Sequence, residues 1–501
     1  MEIDFTPPLE PAAPTVHHAR AAARNAAVAD EASGELRDAL SGPAEIDRIL
    51  LKAAAGAGKS YVLKRLVADA VQHPRCLRAG VIAFQNRQLW PIATSLGKTL
   101  GKGRVCLFSS KDRYDDVPAD VHEYAEVATS TSSIPHDCVV IVATSHKLGA
   151  LGERKRLLDH FSTGSNGEAP FDVLFVDEAW QLPHHLFDRV TNLAPITVGV
   201  GDVGQLPPIE IGTNPWRGDP GYNPYRAWPT DYDNDNRTWS AELPAVWRPA
   251  AEQLSLWRAF YPEWGELDCV AAPGDRSFRL PGLSGVTAAV WAQVATGVPV
   301  MLEVGGLPDP EAPDVDLPLM RFMEGLLDEL FSAGFVLEQT VYDDAGSPTG
   351  EVVSSTPGDE PTDPLVAILA TRNQAVDDAT DAVERLQKKH GLTDKDLMAS
   401  TVDSWQGQTN GITVALHPLT GASQLDEFNS AFGRLAVTCT RATHGLLVVS
   451  RPGLDQLLAE APVRPGTPFG EPGNRQLPRQ THQRILATFR RGTVSVTTEG
   501  T

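Results

Sequence analysis

Residues 53–66 read AAAGAGKSYVLKRL, and their types suit one chemistry, the grip of a polyphosphate. Gly56 and Gly58, with Ala57 between them, let backbone N–H groups close around phosphate oxygens, and the helix that follows adds its positive end. Lys59 is placed to reach the β- and γ-phosphates of a nucleoside triphosphate, and Ser60 offers a hydroxyl to Mg2+. The glycine that usually opens this pattern is Ala53 here. Farther on, FDVLFVDEAWQLP sets Asp177 and Glu178 at the end of an apolar run. There the first acid holds Mg2+ through water, and the second orients and deprotonates an attacking water. A glycine-rich turn or an acidic strand end accounts for either segment alone. In this order and context, the two together point to nucleoside-triphosphate hydrolysis.

Such residues need buried strands to carry them. RILLKA, GVIAF, CVVIVAT, DVLFVDE and ITVGVGD are short, β-branched apolar runs separated by helical stretches. Continuous apolar strands are those covered on both faces of a parallel sheet, and alternation with helices makes the fold α/β. A second series follows: VPVMLEV, LVAILAT, GITVALH and GLLVVS. The expected architecture is therefore two tandem P-loop-type α/β domains, at residues 45–242 and 243–455. The first carries a small insertion near 100–137 and an aromatic loop at 210–240. An alanine-rich extension, 1–44, reads as helical from about Val16 to Leu40, as a docking helix or a poorly ordered one. The tail, 456–501, is rich in Pro, Gly and Arg and reads as partly disordered, with one short helix near Gln480–Arg490.

The 501 residues leave room for two to four domains at roughly 100–200 residues each. No apolar run is long enough to span a bilayer, and the acidic, proline-rich start is no secretory signal. Five scattered cysteines without a CxxC pair argue against a zinc site and suit a reducing cytosol. The expectation is a soluble cytoplasmic protein with no membrane partner. Its net charge of −21 is concentrated: residues 306–363 hold fourteen acids against Arg321 alone, a surface open to a protein partner. Residues 71–113 hold eight bases against Asp112 alone, so a basic face for nucleic acid is available.

DEAWQ at 177–181, GDVGQLPP at 201–208, TVDSWQGQ at 401–408 and AVTCTRATHG at 436–445 follow one another in order. In this the chain resembles the superfamily 1 helicases, in the 5′-to-3′ branch related to RNA-surveillance and replication helicases. The likeness spans roughly residues 47–452. It implies two RecA-like domains with ATP and Mg2+ in the cleft between them, driving movement on single-stranded nucleic acid, DNA more than RNA. It implies that Gln205 senses the γ-phosphate, that Arg248 of LPAVWRPA reaches that phosphate from the second domain, and that Arg441 is an arginine finger. Gln406 would line the cleft beside it. Phe84, Gln85 and Asn86 of AFQNRQ, with Thr144, Thr401 and Asp403, occupy strand-contact positions, where a satisfied strand-end residue is the plainer alternative.

Two departures bear on selectivity. No glutamine precedes Gln72, where the family reads adenine, and Thr409 stands where a ribose-contacting Glu is usual. Long wedge-bearing insertions are also missing, which leaves unwinding open against movement or remodelling without unwinding. A non-motor P-loop switch is a further alternative. Trp216, Tyr222, Tyr225, Trp228, Tyr232 and Trp239 either stack unpaired bases, at roughly 1–3 kcal/mol each, or pin the loop to the core.

Overall fold

A computed structural model describes residues 3–9, 15–42, 45–165, 167–204, 208, 223–262, 264–265, 267–280, 282–312, 315–425, 429, 432–461 and 478–496. The chain is α/β, built on two large sheets in the tandem RecA-like arrangement. The first sheet has eight strands, in the order Glu126–Ala128, Val105–Phe108, Val140–Thr144, Ala79–Ala83, Val173–Asp177, Ile196–Gly201, Arg48–Ala53 and Thr238–Leu243. Every neighbouring pair is parallel. The strands carrying the phosphate loop and the acid pair therefore flank Ile196–Gly201, and all three end at one edge. Ile49, Leu50 and Leu51 are wholly buried. Each such side chain contributes about 1.5–3 kcal/mol.

The second sheet runs Phe5–Thr6, Arg490–Ser495, Val300–Gly305, Ala442–Ser450, Asn410–Leu416, Val366–Ala370 and Leu397–Thr401. Only the Phe5–Thr6 pairing is antiparallel. A three-stranded ribbon, Arg276–Arg279, Val336–Tyr342 and Pro348–Ser355, stands beside it. This ribbon and the helix Leu317–Ala333 take up most of the acidic segment.

Several boundaries differ from expectation. The region near 100–137 is no separate insertion, because Val105–Phe108 and Glu126–Ala128 extend the first sheet at its edge. The tail is structured at its end: Arg490–Ser495 pairs with Val300–Gly305 after the helix Pro478–Leu486. Its RRGTVS sequence hides a strand, since only Gly492 and Val494 face inward. The extension is docked through the helix His18–Ser41, whose buried residues recur every three or four positions. Residues 245–271, expected in the second domain, lie where the two units meet: Val246, Leu254, Trp257 and Phe260 share one continuous core with Ile49 and Leu51 of the first sheet and with Met301 and Val448 of the second. Among the described residues, no helix is long and apolar enough to cross a membrane.

Candidate active site

The loop after Ala53 turns through Gly56 and Gly58, with φ of 72° and 92°, into the helix Lys59–Gln72. Left-handed backbone of this kind is cheap only for glycine. Gly56 has a second reason: a Cβ there would sit 2.3 Å from Cβ of Arg248. Trp247 N–H donates to Gly56 O at 2.7 Å, which clamps residues 247–248 over the loop. Arg248, expected to reach the phosphates from the second domain, thus packs directly on the phosphate loop. Its guanidinium crosses to the other unit, donating to Thr440 O at 3.1 Å.

Lys59 Nζ donates to both carboxylate oxygens of Glu178, at 2.9 and 3.0 Å, and lies 3.9 Å from Oδ2 of Asp202. Glu178 has φ 49° and ψ 47°. A non-glycine residue held there costs about 1–2 kcal/mol, and here it turns the carboxylate from the strand end toward Lys59. Removing one partner of such an enclosed pair costs about 3–5 kcal/mol, so neither group leaves without a replacement charge. Asp177, at the end of its strand, is buried. Burial, then the neighbouring Glu178 charge, push its carboxyl up to about 7, while Lys59 opposes the rise. Burial likewise raises Asp202, again against Lys59.

Arg441 precedes the strand Ala442–Ser450 and is only 1% exposed. It donates to Thr440 Oγ1 at 2.8 Å, while its Nε has no acceptor among the described residues. Burial lowers the pKa of this guanidinium. Burial, then Arg441, bring Arg248 down to about 9, still charged at neutral pH. A cavity of about 400 Å3 gathers Gly56, Gly58, Lys59, Ser60, Glu178, Arg248 and Arg441. Gly407 and Thr409 also line it, whereas half-buried Gln406 does not. Gln205 lies outside the described residues, as do Trp216 and Tyr222.

Two braces of the loop carry no local sequence signal. Tyr261 Oη accepts from Ala55 N (3.1 Å) and donates to Asp202 Oδ1 (2.8 Å), which also accepts from Gly204 N (2.9 Å). Asn25 Nδ2 donates to Ala57 O (3.0 Å) and Ala245 O (2.8 Å), and its Oδ1 accepts from Ala245 N (2.8 Å).

The strand-contact candidates divide between the units. Phe84, Gln85, Asn86 and Thr144 lie at the ends of adjacent strands of the first sheet, with the Phe84 and His146 rings 5.8 Å apart. Thr144 Oγ1 is committed to the next helix, accepting from Lys147 N at 3.1 Å. Thr401 Oγ1 accepts from Ser404 N at 3.1 Å, and exposed Asp403 lies 3.6 Å from Arg434. For the two threonines a structural duty is visible. Of the aromatic loop, Trp228 is fully buried and stacked on Phe187 at 3.9 Å, and Tyr232 lies under Arg48; both pin the loop.

No protein-family profile and no curated protein matches the sequence. Among solved structures, the chain is similar to that of the PRRSV helicase, with a TM-score of 0.37 and 14% identity over 82% of this chain and 54% of that one. It is similar to arterivirus nonstructural protein 10 (helicase) in complex with DNA, with a TM-score of 0.37 and 15% identity over 85% and 64%. A crystal structure of the same arterivirus protein gives 0.39 and 14% over 85% and 63%. The chain spans less than two thirds of each of these proteins.

Proposed function

We propose that the chain is an ATP-hydrolysing motor of the superfamily 1 helicase type, moving 5′ to 3′ on single-stranded nucleic acid, DNA more than RNA. The observation that carries this reading is the shared cleft. Lys59 and Glu178 belong to one α/β unit and Arg441 to the other, yet all three line one cavity with Arg248 bridging them. A triphosphate drawn to Lys59 competes with Glu178 for the same ammonium, and so frees the carboxylate to take a proton from water. Arg248 and Arg441 then bear the charge that spreads over the γ-phosphoryl oxygens, an effect worth roughly 10³–10⁵ in rate when such an arginine is supplied.

Mg2+ carrying phosphate and water ligands needs few protein donors, and the Ser60 hydroxyl with the Asp177 carboxylate suits that demand. Bound there, it would neutralise the β- and γ-phosphate oxygens. A charge-dependent contact between units also gives the device for movement: nucleotide draws the two sheets together, and product loosens them. Phe84, Asn86 and the basic stretch 71–113 offer the track on the first unit.

The test is the ATPase rate with and without single-stranded DNA or RNA, with Glu178→Gln and Arg441→Ala as controls. Stimulation by one nucleic acid, lost in both variants, supports the motor and names its track. A rate indifferent to every nucleic acid would sink the helicase reading.

A further inference from the structure

Beyond the phosphate end, the same cavity is lined by Tyr61, Trp247, Arg276, Gln339 and Asp363. These residues form a set with its own internal logic. Arg276 Nη2 donates to Trp247 O at 2.8 Å, and Nη1 donates to Gln339 Oε1. A guanidinium has donors only, so the amide oxygen of Gln339 must face it. The Nε2 group then points away, a donor with no acceptor among the described residues.

Asp363 is brought in by sheet register. Val366 pairs with Ile412, and the ladder continues downward through Gly411 N to Pro364 O at 2.9 Å. One more step sets Asp363 beside Thr409, which also lines the cavity. Asp363 accepts no hydrogen bond from a described residue. Asp363 is exposed as a whole, but partial desolvation at the cleft wall raises its pKa while Arg248 and Lys395 oppose the rise. Unlike Glu178, which is paired with Lys59, Asp363 leaves its charge open to the cleft and repels a polyphosphate. It suits a ligand that presents hydroxyl donors next to its phosphates, and the ribose diol of a nucleotide is such a group.

We propose that Asp363 and Gln339 read the nucleoside of a bound triphosphate, the carboxylate accepting from the ribose hydroxyls and the amide donating to an acceptor on the same nucleoside. This deepens the ATPase reading and rests on it. The position matters because Thr409 supplies no carboxylate: the acid comes instead from the neighbouring strand. The ribbon of the second unit thereby senses whether a complete nucleotide, and not phosphate alone, fills the cleft.

The experiment is equilibrium binding of ATP, 2′-deoxyATP, 3′-deoxyATP and tripolyphosphate to the full chain, to Asp363→Asn and to Gln339→Ala. Loss of a hydrogen bond to a charged group weakens binding by roughly ten- to a hundredfold. Wild type is expected to bind ATP at least about tenfold tighter than one of the deoxy analogues. Asp363→Asn should erase that preference while leaving tripolyphosphate binding unchanged, which also reports an intact fold. Gln339→Ala should weaken ATP and both analogues but not tripolyphosphate. Equal weakening of all four ligands by Asp363→Asn would overturn the proposal, reducing Asp363 to a counter-charge for Arg248. Tripolyphosphate binding without discrimination by wild type overturns it while sparing the phosphate site. Binding of none of the four overturns both readings.

Discussion

Asp177 carries the sharpest conflict between folding and chemistry in this molecule. Its carboxyl titrates near 7 in the fold against an ordinary 3.8, because burial and Glu178 both oppose ionisation. A raised pKa favours the fold fully below 3.8, and that contribution is lost as pH rises through 7. At pH 8, then, wild type bears the whole penalty of a buried carboxylate. Asp177→Asn is expected to raise the Tm by several degrees at that pH, a gain that shrinks as pH falls through 7, while Mg2+-dependent hydrolysis is lost. Scanning calorimetry across pH decides it; a pH-independent gain would place the cost elsewhere. Glu178→Gln is a different case, since it removes the base and also breaks the pair with Lys59. Turnover should fall by about 10²–10⁴ with nucleotide still bound, read from single-turnover rates beside a binding isotherm.

At the scale of elements, the phosphate loop is held less by its own strand than by segments distant in sequence. Tyr261 reaches Ala55 across 206 positions, and Asn25 ties the loop to residue 245 across 220. Tyr261→Phe keeps the ring and deletes one oxygen, leaving Ala55 N and Asp202 each short of a partner. The cost should be about 1–3 kcal/mol. Because Asp202 directly follows the strand Ile196–Gly201 and stands in the GDVGQLPP motif, the variant should slow turnover more than it weakens nucleotide binding. A KM effect alone, with kcat intact, would reduce Tyr261 to packing. Asn25→Ala should instead lower Tm and weaken ATP together, since it unfastens the loop and the helix His18–Ser41 at once.

For the whole molecule, the proposed function asks how a chain of net charge −21 would hold a polyanion. The charges are sorted. The acidic segment is folded into the second unit, while Arg87 and Lys98, against the single acid Asp120, line a groove on the helix Asn86–Leu100 together with Trp90 and Gln408. That groove touches both units, and under the proposed function it would serve as the track. Binding of single-stranded DNA should weaken with salt, and Arg87→Ala should reduce the log–log slope by about 0.7, as expected when one fewer phosphate is neutralised. An unchanged slope would move the track away from this groove. Charge reversal in the acidic ribbon should leave the slope alone.

The sequence by itself determined what is local. A glycine-rich turn between a buried strand and a helix, and an acid pair ending another, are set within a few residues by backbone and burial rules. The two parallel sheets were legible for the same reason, because strands covered on both faces are continuous apolar runs. The strands next to the sheet edges were not: Val105–Phe108 is short, and Arg490–Ser495 buries only alternate residues. Nor could local rules show that Arg248 leans on Gly56, that Tyr261 joins Ala55 to Asp202, or that Asp363 stands beside Thr409. Those pairings join residues that only strand order and register bring together. Tertiary structure therefore decided the side of the cleft from which each charge arrives, and with it the chemistry the loop can perform.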